Sequence, residues 1–203
     1  MRVFRPSGLF RKLFPEVTFR LGTNKKQICL TFDDGPDPSS TPFILDILAE
    51  FSIKAVFFCN GNKAEQNQGL MNAIRSAGHI TGNHGYLHAD GWKTHYKKYI
   101  RNVSKADDVT SDKLFRPPYG HLTFLQYRNL KKRYNIIMWD LMPYDFDKSF
   151  GTGNCMWILR TQTRPGSVIV LHDTHKSFAK DILREFIEFA LDEGYEFVLP
   201  SPA

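Results

Sequence analysis

Two adjacent carboxylates, Asp33 and Asp34, end the strand-like run Gln27-Ile28-Cys29-Leu30-Thr31-Phe32, and Gly35-Pro36 follows at once. Neighbouring side chains on a strand point to opposite faces, so the pair is not expected to share one role. One can bind a cation while the other faces a substrate or a partner base. Further along, His84-Gly85-Tyr86-Leu87-His88 closes another strand-like run. Two histidines four apart and a carboxylate elsewhere match a three-ligand catalytic metal site with open positions. Taken singly, Asp34 before Gly-Pro reads as a turn former, and the two histidines read as surface residues. The combination is what points to metal chemistry. Arg116, ahead of Pro117-Pro118-Tyr119-Gly120, and His172, after a third apolar run, add a cation and an imidazole at further strand ends.

Those residues need a scaffold that brings strand ends together. Apolar, β-branched and aromatic runs predict strands at 27–32, 54–60, 79–83, 113–116, 135–141, 167–171 and 196–199. Helical periodicity with turn signals predicts helices at 40–51, 63–77, 92–110, 123–133, 154–163 and 177–192. This alternation implies an α/β fold with a parallel sheet and right-handed crossovers. Asp33 and Asp34, His84 and His88, Arg116, Asp145 and His172 follow different strand ends. A barrel converges such ends on one face, whereas an open sheet spreads them along a line, so a barrel is expected.

The 203 residues, 42% of them hydrophobic and 24% charged, fit one soluble domain with a full core. A net charge of +6 favours anionic neighbours, but no concentrated polybasic run accompanies it, and no nucleic-acid partner is expected. The three cysteines are an odd number without CxxC spacing, and Cys29 and Cys59 sit in apolar runs. They are expected to be free and buried, in a reducing compartment. Residues 1–14 mix Arg2, Arg5, Arg11 and Lys12 with apolar residues but lack the continuous apolar core of a signal peptide. No later stretch is long and apolar enough to span a membrane. A cytoplasmic protein is expected, with residues 1–14 packed on the domain or touching a membrane face.

In order along the chain, Thr31-Phe32-Asp33-Asp34-Gly35-Pro36, His84-x-x-x-His88, Arg116-Pro117-Pro118-Tyr119-Gly120 and Leu171-His172 resemble the polysaccharide deacetylases, also called NodB-homology or family 4 carbohydrate esterases. The resemblance covers 27–200. It implies a distorted (β/α)7-type barrel of mostly parallel strands, with the active site at the C-terminal strand ends. Residues 27–203 would form the catalytic domain and 1–26 a basic, aromatic segment packed on or flanking it. The implied activity is metal-dependent removal of acetyl groups from N-acetylated sugars, acting on an acetylated glycan or glycan precursor. Carried over, Asp34, His84 and His88 bind a divalent metal, Asp33 is the general base and Arg116 its charge partner. The Tyr119 backbone N–H helps hold the oxyanion, and His172 is the general acid. Nitrogen and oxygen ligands suit zinc, with cobalt, nickel or manganese as alternatives.

One stretch departs from the family. Its fourth motif, Asp-x-x-Asp-Trp, corresponds here to Met142-Pro143-Tyr144-Asp145-Phe146. Met142 and Phe146 replace the first aspartate and the tryptophan, while Asp145 is retained. Asp145 is the expected partner of His172, with Phe146 or Trp139 as the aromatic wall. Asp140 points the same way as Met142 along a regular strand, but deeper. His79, His95, His121 and His175 are read as structural or surface residues, His121 being the one placed to reach substrate. Rival readings are an O-acetyl carbohydrate esterase and a non-catalytic glycan-binding barrel. A nuclease or phosphatase would need further carboxylates for a two-metal site.

Overall fold

The structure, a computed structural model, describes residues 2–110 and 113–200. Met1, Ser111, Asp112 and 201–203, which belong to the two expected segments 1–26 and 27–203, lie outside the described residues. The strands are β1 (Gln27–Asp33), β2 (Val56–Cys59), β3 (Ile80–Asn83), β4 (Leu114–Phe115), β5 (Asn135–Ile136), β6 (Val168–His172) and β7 (Glu196–Phe197). All pairings between them are parallel, in the order β5-β4-β3-β2-β1-β6, with β7 against the start of β1. From Ile28 to Asp33 every residue of β1 is buried, as a parallel strand covered on both faces requires.

The barrel closes through single bridges. Leu141 bridges Ile169, so the chain after β5 meets β6. Below that point Thr18 bridges Ile137 and Arg20 bridges Ser167, so the N-terminal segment fills the seam. This explains why the strand expected over 135–141 shrinks to two residues. Ile137 N–H still donates to Phe115 O, but Met138 N–H turns to Thr18 O and Asp140 N–H to Val168 O. A barrel distorted at this seam is the result.

Helices surround the sheet: α1 (Gly8–Leu13), α2 (Thr41–Glu50), α3 (Gly61–Gln66), α4 (Gln68–Ser76), α5 (Tyr96–Ala106), α6 (Phe124–Leu130), α7 (Thr152–Gln162) and α8 (Ala179–Asp192). Helix α1 has no counterpart in the sequence expectation, and two of the expected helices differ beyond their ends. The helix expected over 63–77 breaks at Asn67, whose N–H closes α3 on Ala64 O while its own carbonyl accepts from Leu70 and Met71. The helix expected over 92–110 begins only at Tyr96, because residues 90–95 are held as a loop by contacts described below.

The N-terminal segment packs on the barrel. Phe14, Val17 and Phe19 are buried in a cluster with Tyr99, Phe115 and Tyr127. Arg5, Arg11 and Arg164 converge on the fully buried Asp140. Burial acts to raise that carboxyl, but the three guanidinium groups and Ser167 hold it below the usual carboxylate range. Leu9 and Leu13 of α1 remain exposed. All three cysteines are free and buried. Among the described residues, no helix is long and apolar enough to cross a membrane.

Candidate active site

One open cavity of about 360 Å³ at the C-terminal strand ends is lined by Asp33, Asp34, His84, His88, Tyr119 and His172. A larger groove between α2 and α8 is lined by charged residues that include the Arg184–Glu50 ion pair, and it gathers none of these groups.

Asp33 and Asp34 both face the cavity, which corrects the expectation of opposite faces. Asp33 is the last residue of β1. Asp34 has φ 72°, a left-handed conformation that ends the strand alternation and swings its carboxylate to the same side. Gly35 is required next, since a Cβ there would lie 2.2 Å from Asp173 Oδ2.

His84 follows β3, and its Nδ1 lies 2.8 Å from Arg116 O. That carbonyl assigns the proton to Nδ1 and leaves the Nε2 lone pair for a ligand. The loop from His84 to His88 is held from α5. Asn102 O accepts from Tyr86 N–H, and Asn102 Oδ1 accepts from Leu87 N–H. Asn83 Oδ1 accepts from Gly85 N–H.

The Nε2 atoms of His84 and His88 stand 3.4 and 3.0 Å from Asp34 Oδ1. This buried oxygen nevertheless has no hydrogen-bond partner. One ligand atom from each of Asp34, His84 and His88 lies within 4.8 Å of the others. Three electron-pair donors gathered round one point, without a proton shared between them, fit a divalent cation.

Arg116 is wholly buried at the end of β4. Its NH1 donates to Asp33 Oδ1 (2.6 Å) and Thr31 Oγ1 (2.7 Å). Nε donates to Ile137 O and NH2 to Met138 O, and the guanidinium lies over the Phe58 ring. Asp33 is thereby fixed on one oxygen, leaving Oδ2 at 3.9 Å from His84 Nε2.

After Arg116 the chain makes a 3-10 turn, Pro118–Gly120, in which Tyr119 has φ 60°. Bonds inside this turn run from the N–H of Gly120 to Pro117 O and of His121 to Pro118 O. The turn therefore does not consume the Tyr119 N–H.

His172 ends β6 in register with Asp33 on β1. Its Nδ1 lies 2.8 Å from Asp145 Oδ1, and its backbone N–H donates to Asp145 Oδ2 at 2.7 Å. Asp145 is fully buried. Asp140, pointing to the N-terminal arginines, has no part in this pair. Burial lowers the His172 imidazole, but Asp145 outweighs it, with smaller help from Asp34 and Asp33, raising it to about 9. Phe146 packs edge-on against His172 at 4.7 Å, and Trp139 lines the same cavity, so both aromatic candidates border it. The loop is backed by the N-terminal segment, where Met142 N–H donates to Phe4 O and Tyr144 O–H to Val3 O.

Sequence reasoning passed over the roles of Thr31 and Asn102, and singled out His121 only as the one of the remaining histidines placed to reach substrate. Thr31 Oγ1 relays Arg116 to Ile169 O. Asn102 supports the histidine loop. His121, read as structural or surface, lines the cavity with Nδ1 2.9 Å from Asp90 Oδ1. Only its place just after the Tyr119-Gly120 turn hinted at this.

The family profile described as polysaccharide deacetylase matches residues 20–136. A peptidoglycan-N-acetylglucosamine deacetylase of Bacillus cereus is 33% identical over 189 residues, covering 88% of this chain and 68% of that protein. Among solved structures, a peptidoglycan N-acetylglucosamine deacetylase in complex with 4-naphthalen-1-yl-N-oxidanyl-benzamide is similar at TM-score 0.87 and 29% identity, over 95% of this chain and 94% of that one. A CE4 family pseudoenzyme from Bacillus anthracis shares the fold at TM-score 0.80 and 23% identity, over 88% of this chain and 65% of that one. With barrel, strand-end residues and profile in agreement, the chain belongs to the polysaccharide deacetylase family.

Proposed function

We propose that this chain is a metal-dependent hydrolase that removes the acetyl group from N-acetylglucosamine residues of a glycan. The observation that carries this reading is the register pairing of Asp33 with His172 on neighbouring strands, in the cavity that also holds the Asp34–His84–His88 cluster. It supplies a base and an acid at one level of the barrel, beside a cation site. The same fold also houses a pseudoenzyme, so the reading rests on these residues and not on the barrel.

Asp34, His84 and His88 would hold the cation, zinc by their N2O donor set. When bound, it supplies Lewis acidity that polarises the acyl oxygen and acidifies a water. Asp33, pinned by Arg116 on one oxygen, keeps the other free to take the proton of the attacking water. Arg116 is itself held at two carbonyls and Thr31, so it fixes Asp33 without reaching the substrate. The Tyr119 N–H donates to the oxygen on which negative charge develops. His172, kept protonated by Asp145, donates through Nε2 to the departing nitrogen. Phe146 and Trp139 wall the cavity and limit water around the reacting carbon.

Acetate release from a panel of N-acetylated and O-acetylated sugars tests this directly. The reading expects turnover of N-acetylglucosamine oligomers in preference to acetylated xylan. Preference for the O-acetyl substrates would move the assignment to a carbohydrate esterase. No release from any member, with cation present, would leave a binding barrel.

A further inference from the structure

The charges of the chain are unevenly placed. Residues 91–106 and 113–139 hold 11 of its 27 Lys and Arg residues and none of its 21 Asp and Glu residues. The remainder carries 16 Lys and Arg against all 21 acids, so the excess of +6 lies wholly in these two segments. They are separate in sequence and neighbours in the fold, because α5 and α6 lie side by side and point the same way. At their starts the Trp92 indole N–H donates to Leu122 O, and Gln126 Nε2 donates to Gly91 O. At their ends Arg133 donates to Ser104 Oγ. Tyr99 and Val103 of α5 are buried with Tyr127 and Leu130 of α6.

Both outer faces are left basic. On α5, Lys97, Lys98, Arg101 and Lys105 are exposed and fall within an arc of about 100° round the helix axis. Beside them Arg128 on α6 and Lys132 just after it are exposed. Among the described residues none of these six forms an ion pair, and Lys105 lies over the Tyr86 ring. The acids that border the face are engaged: Asp90 with His121, Asp107 with Arg133 and Glu16 with Lys131. Asp108, just past α5, is exposed.

The end of this face nearest the cavity is apolar. Leu87, Trp92, Phe124 and Leu125 are 58–65% exposed. Leu87 precedes the cavity-lining His88, and Trp92 stacks on the cavity-lining His121 at 3.6 Å with planes 8° apart. Phe124 and Leu125 begin α6. Trp92 is held at this rim. Its backbone N–H donates to Asp90 Oδ1 at 2.9 Å, the same oxygen that meets His121 Nδ1 at 2.9 Å. Gly91 beside it admits no side chain, because a Cβ would lie 2.1 Å from His121 O. These bonds displace residues 92–95 from the helix that the sequence favours.

A soluble polyanion would meet the charges but would gain nothing from four large apolar side chains held in water. A bilayer with anionic headgroups satisfies both. Its phosphates attract the lysines and arginines, while the apolar side chains enter the headgroup boundary, where tryptophan is favoured. We propose that the outer face of α5 and α6 is a docking surface for a membrane with anionic headgroups. A docked molecule holds the cavity mouth beside the lipid. The docking stands apart from the deacetylase reading, since neither the face nor its test involves the reaction.

The test is cosedimentation of the full chain with phosphatidylcholine vesicles prepared with and without phosphatidylglycerol. Binding should require phosphatidylglycerol and weaken as added salt screens it. Lys97→Gln, Lys98→Gln and Arg101→Gln together should weaken it about a hundredfold. Lys25→Gln, Lys148→Gln and Lys176→Gln together change the net charge equally at exposed positions elsewhere, and should leave binding close to wild type. Phe124→Ser with Leu125→Ser should weaken it about tenfold. Equal binding to both kinds of vesicle, an equal loss in the two triple variants, or no loss in the Phe124 and Leu125 variant overturns the proposal. So does a wild-type protein that binds neither vesicle, whether or not it binds soluble heparin. Acetate release by a protein that binds no vesicle would sink the docking alone. Vesicle binding by a protein that deacetylates no sugar would keep the docking and sink the deacetylase reading.

Discussion

Replacing Asp145 with asparagine separates charge from shape at His172. Asparagine keeps the size of the buried side chain and one acceptor. The native carboxylate meets both Nδ1 and the backbone N–H of His172, so one of these bonds is lost and a loss of rate independent of pH follows. The pH-dependent part is the informative one. With Asp145, His172 sits near 9 against an ordinary value of 6.5, while burial alone pulls it down. An acid must be protonated to act, so wild-type activity is present below that value and falls as pH rises through it. Without the carboxylate the imidazole drops to its ordinary value or lower. At pH 8 the protonated fraction then falls from about nine-tenths to a few per cent, roughly a thirtyfold loss in kcat. At pH 6 the same substitution removes less than about half of the protonated form. The assay is a kcat profile from pH 5.5 to 10 on an N-acetylglucosamine oligomer. An alkaline limb at the same pH in both proteins would refute the reasoning, whatever the drop in absolute rate.

Two other substitutions probe the frame of the site. Arg116→Met removes the partner of Asp33 and Thr31 and of two buried carbonyls. It should cost about 3–5 kcal/mol in chemical denaturation as well as activity, and wild-type stability would show that the buried network is dispensable. Gly120→Ala combines φ +68° with a Cβ only 2.5 Å from the Trp139 ring. It should destabilise by about 1–3 kcal/mol and lower kcat by displacing the Tyr119 turn, so a fully active, fully stable protein would contradict that account.

The strand ends were legible because buried strands run straight into polar residues, as in Phe32-Asp33 and Leu171-His172. Spacing then sufficed to collect Asp34, His84, His88, Arg116 and His172 on one face. Backbone conformation was less legible. The alternation rule separates Asp33 from Asp34, and only the left-handed turn at Asp34 reunites them. Of the five non-glycine residues with positive φ among the described residues, Asp34, His88, Tyr119 and Tyr144 line the cavity. Strain of that kind is held by the surrounding fold and leaves no local mark in composition. The loop at Trp92 escaped for a related reason. Its residues suit a helix, but Asp90 just before it, together with His121 and Gln126 from a later part of the chain, holds them out of one. The seam of the barrel likewise depends on Thr18 and Arg20, in a segment whose pattern carries no strand signal.

Acetate release from an N-acetylglucosamine oligomer, followed through removal and return of the cation, bears most directly on the central claim. Dialysis against a chelator should abolish release, and one equivalent of a divalent cation should restore it. The Asp34→Ala protein, folded by circular dichroism, should bind no cation at that concentration and stay inactive. Release that persists in chelated Asp34→Ala protein would contradict the assignment of Asp34, His84 and His88 to a catalytic cation.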